Sequence, residues 1–377
     1  MVMKKYHFLA ALAFVALASC TNKVQTDSPE FQDPLEDGTP VPVLFSAASP
    51  KASVEVKSVG AVDKQWSAQE LKIYGYDKTV TDFTQEAFIE NVSATAPADG
   101  NKGGIQVLNA ASQNEPFYYV TGKYYDFYGY HIDDAVTAEP VKSETSVVVP
   151  FTIDGSQDLM IAKADQQTDI EAAGKTNEVS AERAYSAFAA RRGVQPNLLF
   201  KHQLARFTFE IVAGSEAGSD IYVTEVKLVS KYKGNLAVVG QNRGLVDVDA
   251  ETAELSLQEK AERGMQALTE VKPEAYVAGG PATAKTIGES LMVIPGEASY
   301  KLYVGTRQDG VTTQIAPQEW TLDINKIEGA PQGATAFEAG YSYKVKIVIY
   351  GLEEVKITAE LEDWKEGGST VLDPDLM

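Results

Sequence analysis

Hydrophobic and polar positions along this chain alternate over short stretches instead of recurring every three or four residues. Phe207, Phe209 and Ile211 are separated by Thr208 and Glu210, and Val345, Ile347 and Ile349 by Lys346 and Val348. A period of two turns one face of a strand toward a core and leaves the other mostly wet. About a dozen such segments follow one another between turn residues, among them VPVLFSA, LKIYGYD, KYYDFYGYH, SVVVPFTI, FTFEIVA, YKLYVGT and YKVKIVIYGL. The pattern predicts an all-β chain of sandwich type.

Helical periodicity is sparse. SAERAYSAFAARRG, 180–193, has Ser180 as an N-cap, Tyr185 and Phe188 on one face and Gly193 as a stop, which predicts one short helix. TAELSLQEKAERG, 252–264, reads either as a second helix or as a long connection. Gly193 and Pro196, ahead of a new run of strands, mark a boundary that divides the chain into domains over 40–196 and 197–377.

The front of the chain has a different texture. Lys4 and Lys5 precede an apolar run from Phe8 to Leu17 that is too short to span a bilayer, which is the form of a secretory signal over residues 1–19. It ends in Leu17-Ala18-Ser19-Cys20, and Cys20 is the only cysteine in 377 residues. A large aliphatic residue, two small ones and a cysteine resemble the lipobox of bacterial lipoproteins, which implies that the Cys20 thiol carries lipid and that the mature chain begins there. Several acyl chains hold a protein to a membrane firmly where one holds it marginally. Residues 20–39, rich in Pro, Asp, Gly and Ser, read as a flexible tether.

Loss of residues 1–19 leaves 31 basic against 53 acidic residues, a formal charge of −22. Nucleic acid is a poor partner for such a surface. With Cys20 acylated, no thiol is left for catalysis or disulfides. DIEAAGKT, 169–176, imitates a phosphate loop, but Asp169 stands where the first glycine belongs, and the segment lacks a strand-loop-helix setting. DVDAE, 247–251, lacks the glycine and distant glutamate of a calcium loop and reads as a solvated turn. His131 and His202 lie far apart in sequence, and His202 reads as a hydrogen-bonded, partly buried histidine. No nucleophile elbow or zinc-protease motif occurs, so the expectation is no enzyme, no cofactor and no metal.

LLFKHQLARFTFEI, 198–211, resembles the fimbrillin family, the pilin subunits and associated anchor and tip proteins of type V pili, through Phe200, His202, Leu204, Ala205 and Phe207–Phe209. KYYDFYGYH, 123–131, is similar to the family's aromatic strand, with His131 where proline is usual. DLMIAK, 158–163, and FEAGYSYKVKIVIYGLEEVKITAELEDWKEGG, 337–368, agree with two further family phrases, in order. The resemblance implies two tandem transthyretin-like Greek-key β-sandwiches with minor helical insertions. It also implies a structural fimbrial subunit, whether stalk, tip or accessory, that is involved in adhesion and joined to other subunits by strand exchange. Its place is then the outer membrane, as a surface-exposed lipoprotein, and the fimbrium after processing.

Carried onto this chain, the exchangeable strand is PVPVLFSAA, 40–48, with Val41, Val43 and Phe45 on one face. The family's usual cut after an arginine has no counterpart, because no arginine precedes Arg183; Lys51 and Lys57 are the candidate cut sites. The short tail after Trp364, interrupted by Pro374, favours a tip or accessory subunit over a stalk subunit. The alternative is a surface lipoprotein that binds glycans through the run FYYVTGKYYDFYGYH. There Tyr124, Tyr128 and Tyr130 take one face and Tyr125 and Phe127 the other, with one set expected in the core.

Overall fold

A computed structural model describes residues 39–49, 66–98, 102–112, 115–262, 264–280, 282–313 and 315–362. The described residues from Pro40 onward form one compact unit. In chain order its main elements are β1 (Phe45–Ala48), β2 (Glu70–Asp77), β3 (Ile89–Thr95), β4 (Lys102–Ile105), β5 (Tyr125–Ile132), β6 (Ser146–Thr152) and β7 (Leu159–Lys163). Two short helices follow, α1 (Gln166–Ala172) and α2 (Ala187–Ala190), then β8 (Asn197–Leu199), β9 (Lys201–His202), β10 (Ala205–Ala213), β11 (Ile221–Lys231), β12 (Lys233–Gly240) and β13 (Gly244–Val246). The chain continues through β14 (Thr252–Ser256), β15 (Lys285–Val293), β16 (Ser299–Gln308), β17 (Gln318–Asp323), β18 (Ser342–Ile349) and β19 (Val355–Glu362). The architecture is all-β, as the alternation predicts.

In the later half, the sheets β15–β10–β18–β19 and β14–β11–β16–β17 enclose one core. Phe207, Phe209 and Ile211 of β10 and Val345, Ile347 and Ile349 of β18 line it from one side, and Val223, Val226 and Leu228 of β11 with Leu302 and Val304 of β16 line it from the other. In the earlier half, the five-stranded sheet β9–β7–β5–β2–β3 is the middle of three layers. One face packs against the small sheet β8–β1–β4, and the other against β13–β12–β6.

That middle position changes the reading of the aromatic run. Tyr125 and Phe127 of β5 belong to the core beneath β1, and Tyr128 and Tyr130 to the core beneath β6 and β12, so both faces of the strand are buried. Alternation tells which residues share a face; it does not tell how many layers cover the sheet.

The segment 252–264 is extended where it is regular, with strands at Thr252–Ser256 and Gln258–Lys260. Leu255 and Leu257 are both buried, so a period of two governs it despite its many good helix formers. The predicted helix over 180–193 is broken in two. Ala181–Arg183 form a 3-10 turn, Ala187–Ala190 form α2, and between them Tyr185 takes φ +55°. Ser186, not Ser180, caps the second piece, accepting from the Ala189 N–H at 3.2 Å. The segment read as a failed phosphate loop does hold a helix, α1, capped by Asp165, whose side chain accepts from the Thr168 N–H at 2.7 Å.

Buried apolar side chains up to Phe200 and from Ala205 onward fall into separate clusters, while a third cluster joins Val147, Val149 and Phe151 to Leu236, Val238 and Met292. Main-chain pairing also spans residue 197, in β1 with β8, β7 with β9 and β6 with β12.

Candidate functional site

β1 is the centre strand of the three-stranded sheet. It runs antiparallel to β4, with Phe45 opposite Ile105 and Ala47 opposite Gly103, and parallel to β8, with Ser46 opposite Asn197 and Ala48 opposite Leu199. The pairing extends beyond the regular strand: the Val43 N–H donates to the Phe117 carbonyl at 2.7 Å, and the Tyr119 N–H donates to the Val41 carbonyl at 2.9 Å. On the opposite edge the Ser46 N–H donates to the Pro196 carbonyl at 3.1 Å, and the Phe200 N–H donates to the Ala48 carbonyl at 3.0 Å. Residues 41–48 thus lie in a slot bonded along both edges.

Side chains obey the same two-residue rule. Val43, Phe45 and Ala47 are buried and Val41 is partly buried against the same core, while Leu44 points outward and is 54% exposed. Phe45 shares one core cluster with the rings and aliphatic groups of β2, β5 and β8. The structure therefore brings Val41, Val43 and Phe45 together on one face of one strand. Cys20, Lys51 and Lys57 lie outside the described residues.

The edge of β8 away from β1 is closed by the helical insertion. In a parallel ladder, alternate residues of β8 face β1, so the Asn197 N–H points the other way and needs another acceptor. Asp169 of α1 supplies it, taking the Asn197 N–H on Oδ2 at 2.9 Å and the Tyr185 hydroxyl on the same oxygen. Burial raises the Asp169 carboxyl above its ordinary value, against the two hydrogen bonds, which lower it. Burial, and then the Asp169 charge, push the Tyr185 hydroxyl up. On the outer face the Ser46 hydroxyl donates to Asn197 Oδ1 at 2.8 Å. The insertion is more than decoration: it covers a strand edge and holds the wall of the slot.

His131 and His202, remote in sequence, sit on either side of Met160 in adjacent strands. The His131 Nδ1–H donates to the Glu70 carbonyl at 2.8 Å, and His202 Nδ1 lies 2.8 Å from Asp158 Oδ2, with both side chains of that second pair enclosed. Burial pushes the His131 imidazole below its usual range. Both histidines lock strands of the middle sheet. Lys175 of the phosphate-loop imitation pairs with Glu178 at 2.9 Å, and Glu251 of the calcium-loop imitation pairs with Lys233 at 2.8 Å. Among the described residues no three His, Cys, Asp or Glu side chains gather to hold a metal. The rings of Tyr125, Phe127, Tyr128 and Tyr130 are buried, which removes them as platforms for sugars.

Sequence reasoning finds β1 and misses its frame. FYYVTG, 117–122, reads as a strand but not as the partner of 41–43, Asn197 lies in what reads as a boundary, and Asp169 reads only as a flaw in a loop motif. The polar partners Asp169 and Asn197 are therefore visible in the sequence only as isolated residues.

Residues 60–364 match the family model described as fimbrillin-like. No curated protein matches the chain in a sequence search. Among solved structures, a candidate cell adhesion protein from Bacteroides uniformis superposes with a TM-score of 0.51 at 17% identity, covering 87% of this chain and 99% of that one. A fimbrilin from Porphyromonas gingivalis gives 0.42 at 12% identity, covering 85% and 97%. The fimbrial anchor protein Mfa2 of the same organism gives 0.33 at 13%, covering 85% and 98%. At these identities the likeness to the first of the three speaks for the fold alone.

Proposed function

The chain belongs to the fimbrillin-like family, and on that premise we propose that it is a structural subunit of cell-surface fimbriae whose first strand, residues 40–48, is exchanged for a strand supplied by a neighbouring subunit. The family is one of structural pilus subunits and not of enzymes.

The observation that carries the reading is the position of β1. It is the centre of its sheet, yet a single cut between Ser49 and Trp66 severs it from every strand that follows. Its departure would leave backbone donors and acceptors of β4, β8 and the 117–119 segment unmet, above an emptied apolar trough. A supplied strand satisfies both needs, which is strand addition at an open edge. Burying side chains in the places of Val41, Val43 and Phe45 at about 1.5 to 3 kcal/mol each, with a smaller share at Ala47, gives a gross gain of about 5 to 9 kcal/mol before ordering costs. Such a joint opens slowly.

Lys51 and Lys57 are the cut sites this reading assigns, and Cys20 is the lipid attachment that tethers the unprocessed subunit to the outer membrane. The partners are other fimbrial subunits. The test is the amino-terminal sequence of the protein recovered from the cell surface. A start just after Lys51 or Lys57 supports processing and exchange, an acylated start at Cys20 marks an anchored form with its strand retained, and a start upstream of Cys20 refutes the lipid anchor.

A further inference from the structure

We infer that Asp169, Tyr185 and Asn197 form a register latch for the slot, which selects a strand bearing a hydroxyl where Ser46 stands. The consequence between subunits rests on the strand-exchange reading; the latch itself acts equally on the resident strand.

Three observations converge. Asp169 is a buried carboxylate, 6% exposed, spent on the outward N–H of Asn197 and on the Tyr185 hydroxyl. A buried charge is costly unless it is hydrogen-bonded, and here one bond fixes a residue of the slot wall while the other ties the carboxylate to Tyr185. Tyr185, fully buried, holds the left-handed backbone at φ +55° that non-glycine residues rarely adopt, and strain of this kind persists where the surroundings over-determine it. Asn197, anchored through its backbone, then turns its side-chain oxygen to the residue directly opposite in the ladder, Ser46.

Register is the property at stake. A slip of two residues keeps the apolar face inward but places Leu44 or Ala48 opposite Asn197, and neither carries a hydroxyl. The same slip carries Phe45 into the place of Ala47, whose side chain is 0% exposed and leaves no room for a ring, or into the place of Val43. The polar contact outside and the small site inside thus select one register. The matching partner is a strand of a second copy or a related chain that reads apolar, any, aromatic, Ser or Thr, then Ala, aligned on Val43 to Ala47.

The test uses the full chain. Native-state hydrogen exchange is followed in Val43–Ala48, with Tyr343–Ile349 of β18 as reference, for Ser46→Ala, Asn197→Ala, the double variant and Ser46→Thr. Each single alanine is expected to speed exchange of Val43–Ala48 about 3- to 10-fold. The double variant does no more than either, and Ser46→Thr restores the rate. Tyr185→Phe, which removes only the hydroxyl, weakens the coupling between Ser46 and Asn197 while the reference stays unchanged. Additive effects, or none, overturn the latch. In a second arm the full chain is cut between Ser49 and Trp66, so that the resident strand can leave, and the labelled peptides PVPVLFSAA and PVPVLFAAA compete for it. Preferential capture of the first, by the same factor, supports the latch, and equal capture overturns it while leaving strand exchange standing. Capture of neither counts against strand exchange, and the exchange rates then decide the latch alone.

Discussion

Phe45 of β1 meets Phe127 of β5 edge to face, with ring centroids 4.9 Å apart and planes at 83°. Truncating a buried phenylalanine costs about 3–5 kcal/mol. Phe45→Ala is expected to lower the unfolding free energy by that amount, read as a lower urea midpoint at an unchanged slope. A loss below about 1 kcal/mol would show that β1 lies outside the cooperative core.

Gly129 lies where β5 passes under β8. A Cβ there would come within 2.8 Å of Phe200 Cζ and 3.2 Å of Leu198 Cδ1. Gly129→Ala is therefore expected to push β8 outward at a cost of about 1–3 kcal/mol. Exchange of the β1 amides should rise together with the loss of stability. Unchanged stability would mean that the wall yields freely.

Two buried groups give opposite pH dependences. Burial raises Asp169 above its usual 3.8, so the folded chain binds this proton more tightly than the unfolded one. Its contribution is greatest below pH 3.8 and is lost as pH rises through the raised folded value. Burial lowers His131 from its usual 6.5, so its contribution is present above pH 6.5 and lost as pH falls toward the depressed folded value. Asp169→Asn should remove the first slope and His131→Asn the second in a titration of unfolding free energy. Curves that stay parallel to the parent's would contradict the assignment.

The third core cluster bears on the division at residue 197. A fragment of residues 40–196 lacks β8 and β12, and with them Leu198, Leu236 and Val238, which cover two faces of the earlier half. It is expected to bind a hydrophobic dye and to unfold without cooperativity. A sharp calorimetric transition in that fragment would establish it as an independent domain.

Cys20→Ala is expected to leave the protein unlipidated and out of the membrane fraction. Unchanged membrane retention would refute the proposed anchor.

The strands were legible in the sequence because a half-buried strand writes its own period. Val43, Phe45 and Ala47 face inward and Leu44 outward, as the alternation of 40–48 implies. The failures have local causes. Leu255 and Leu257 pack inward from a segment of good helix formers, and Tyr185 breaks a helix that spacing alone predicts, because its hydroxyl is held by Asp169 and its backbone carbonyl accepts from the Tyr125 N–H at 3.1 Å.

Periodicity, turn residues and the phrases around Phe200, Tyr125 and Phe337 sufficed for the all-β class, the family and the first strand, since each is carried by neighbours in the chain. Tertiary structure alone decided that both faces of β5 are buried, that Asp169, Tyr185 and Asn197 meet beside Ser46, and that β12 pairs with β6. These depend on which distant segments come to lie against one another. A local pattern marks a residue as inward or polar, but its partner is fixed only when the layers close.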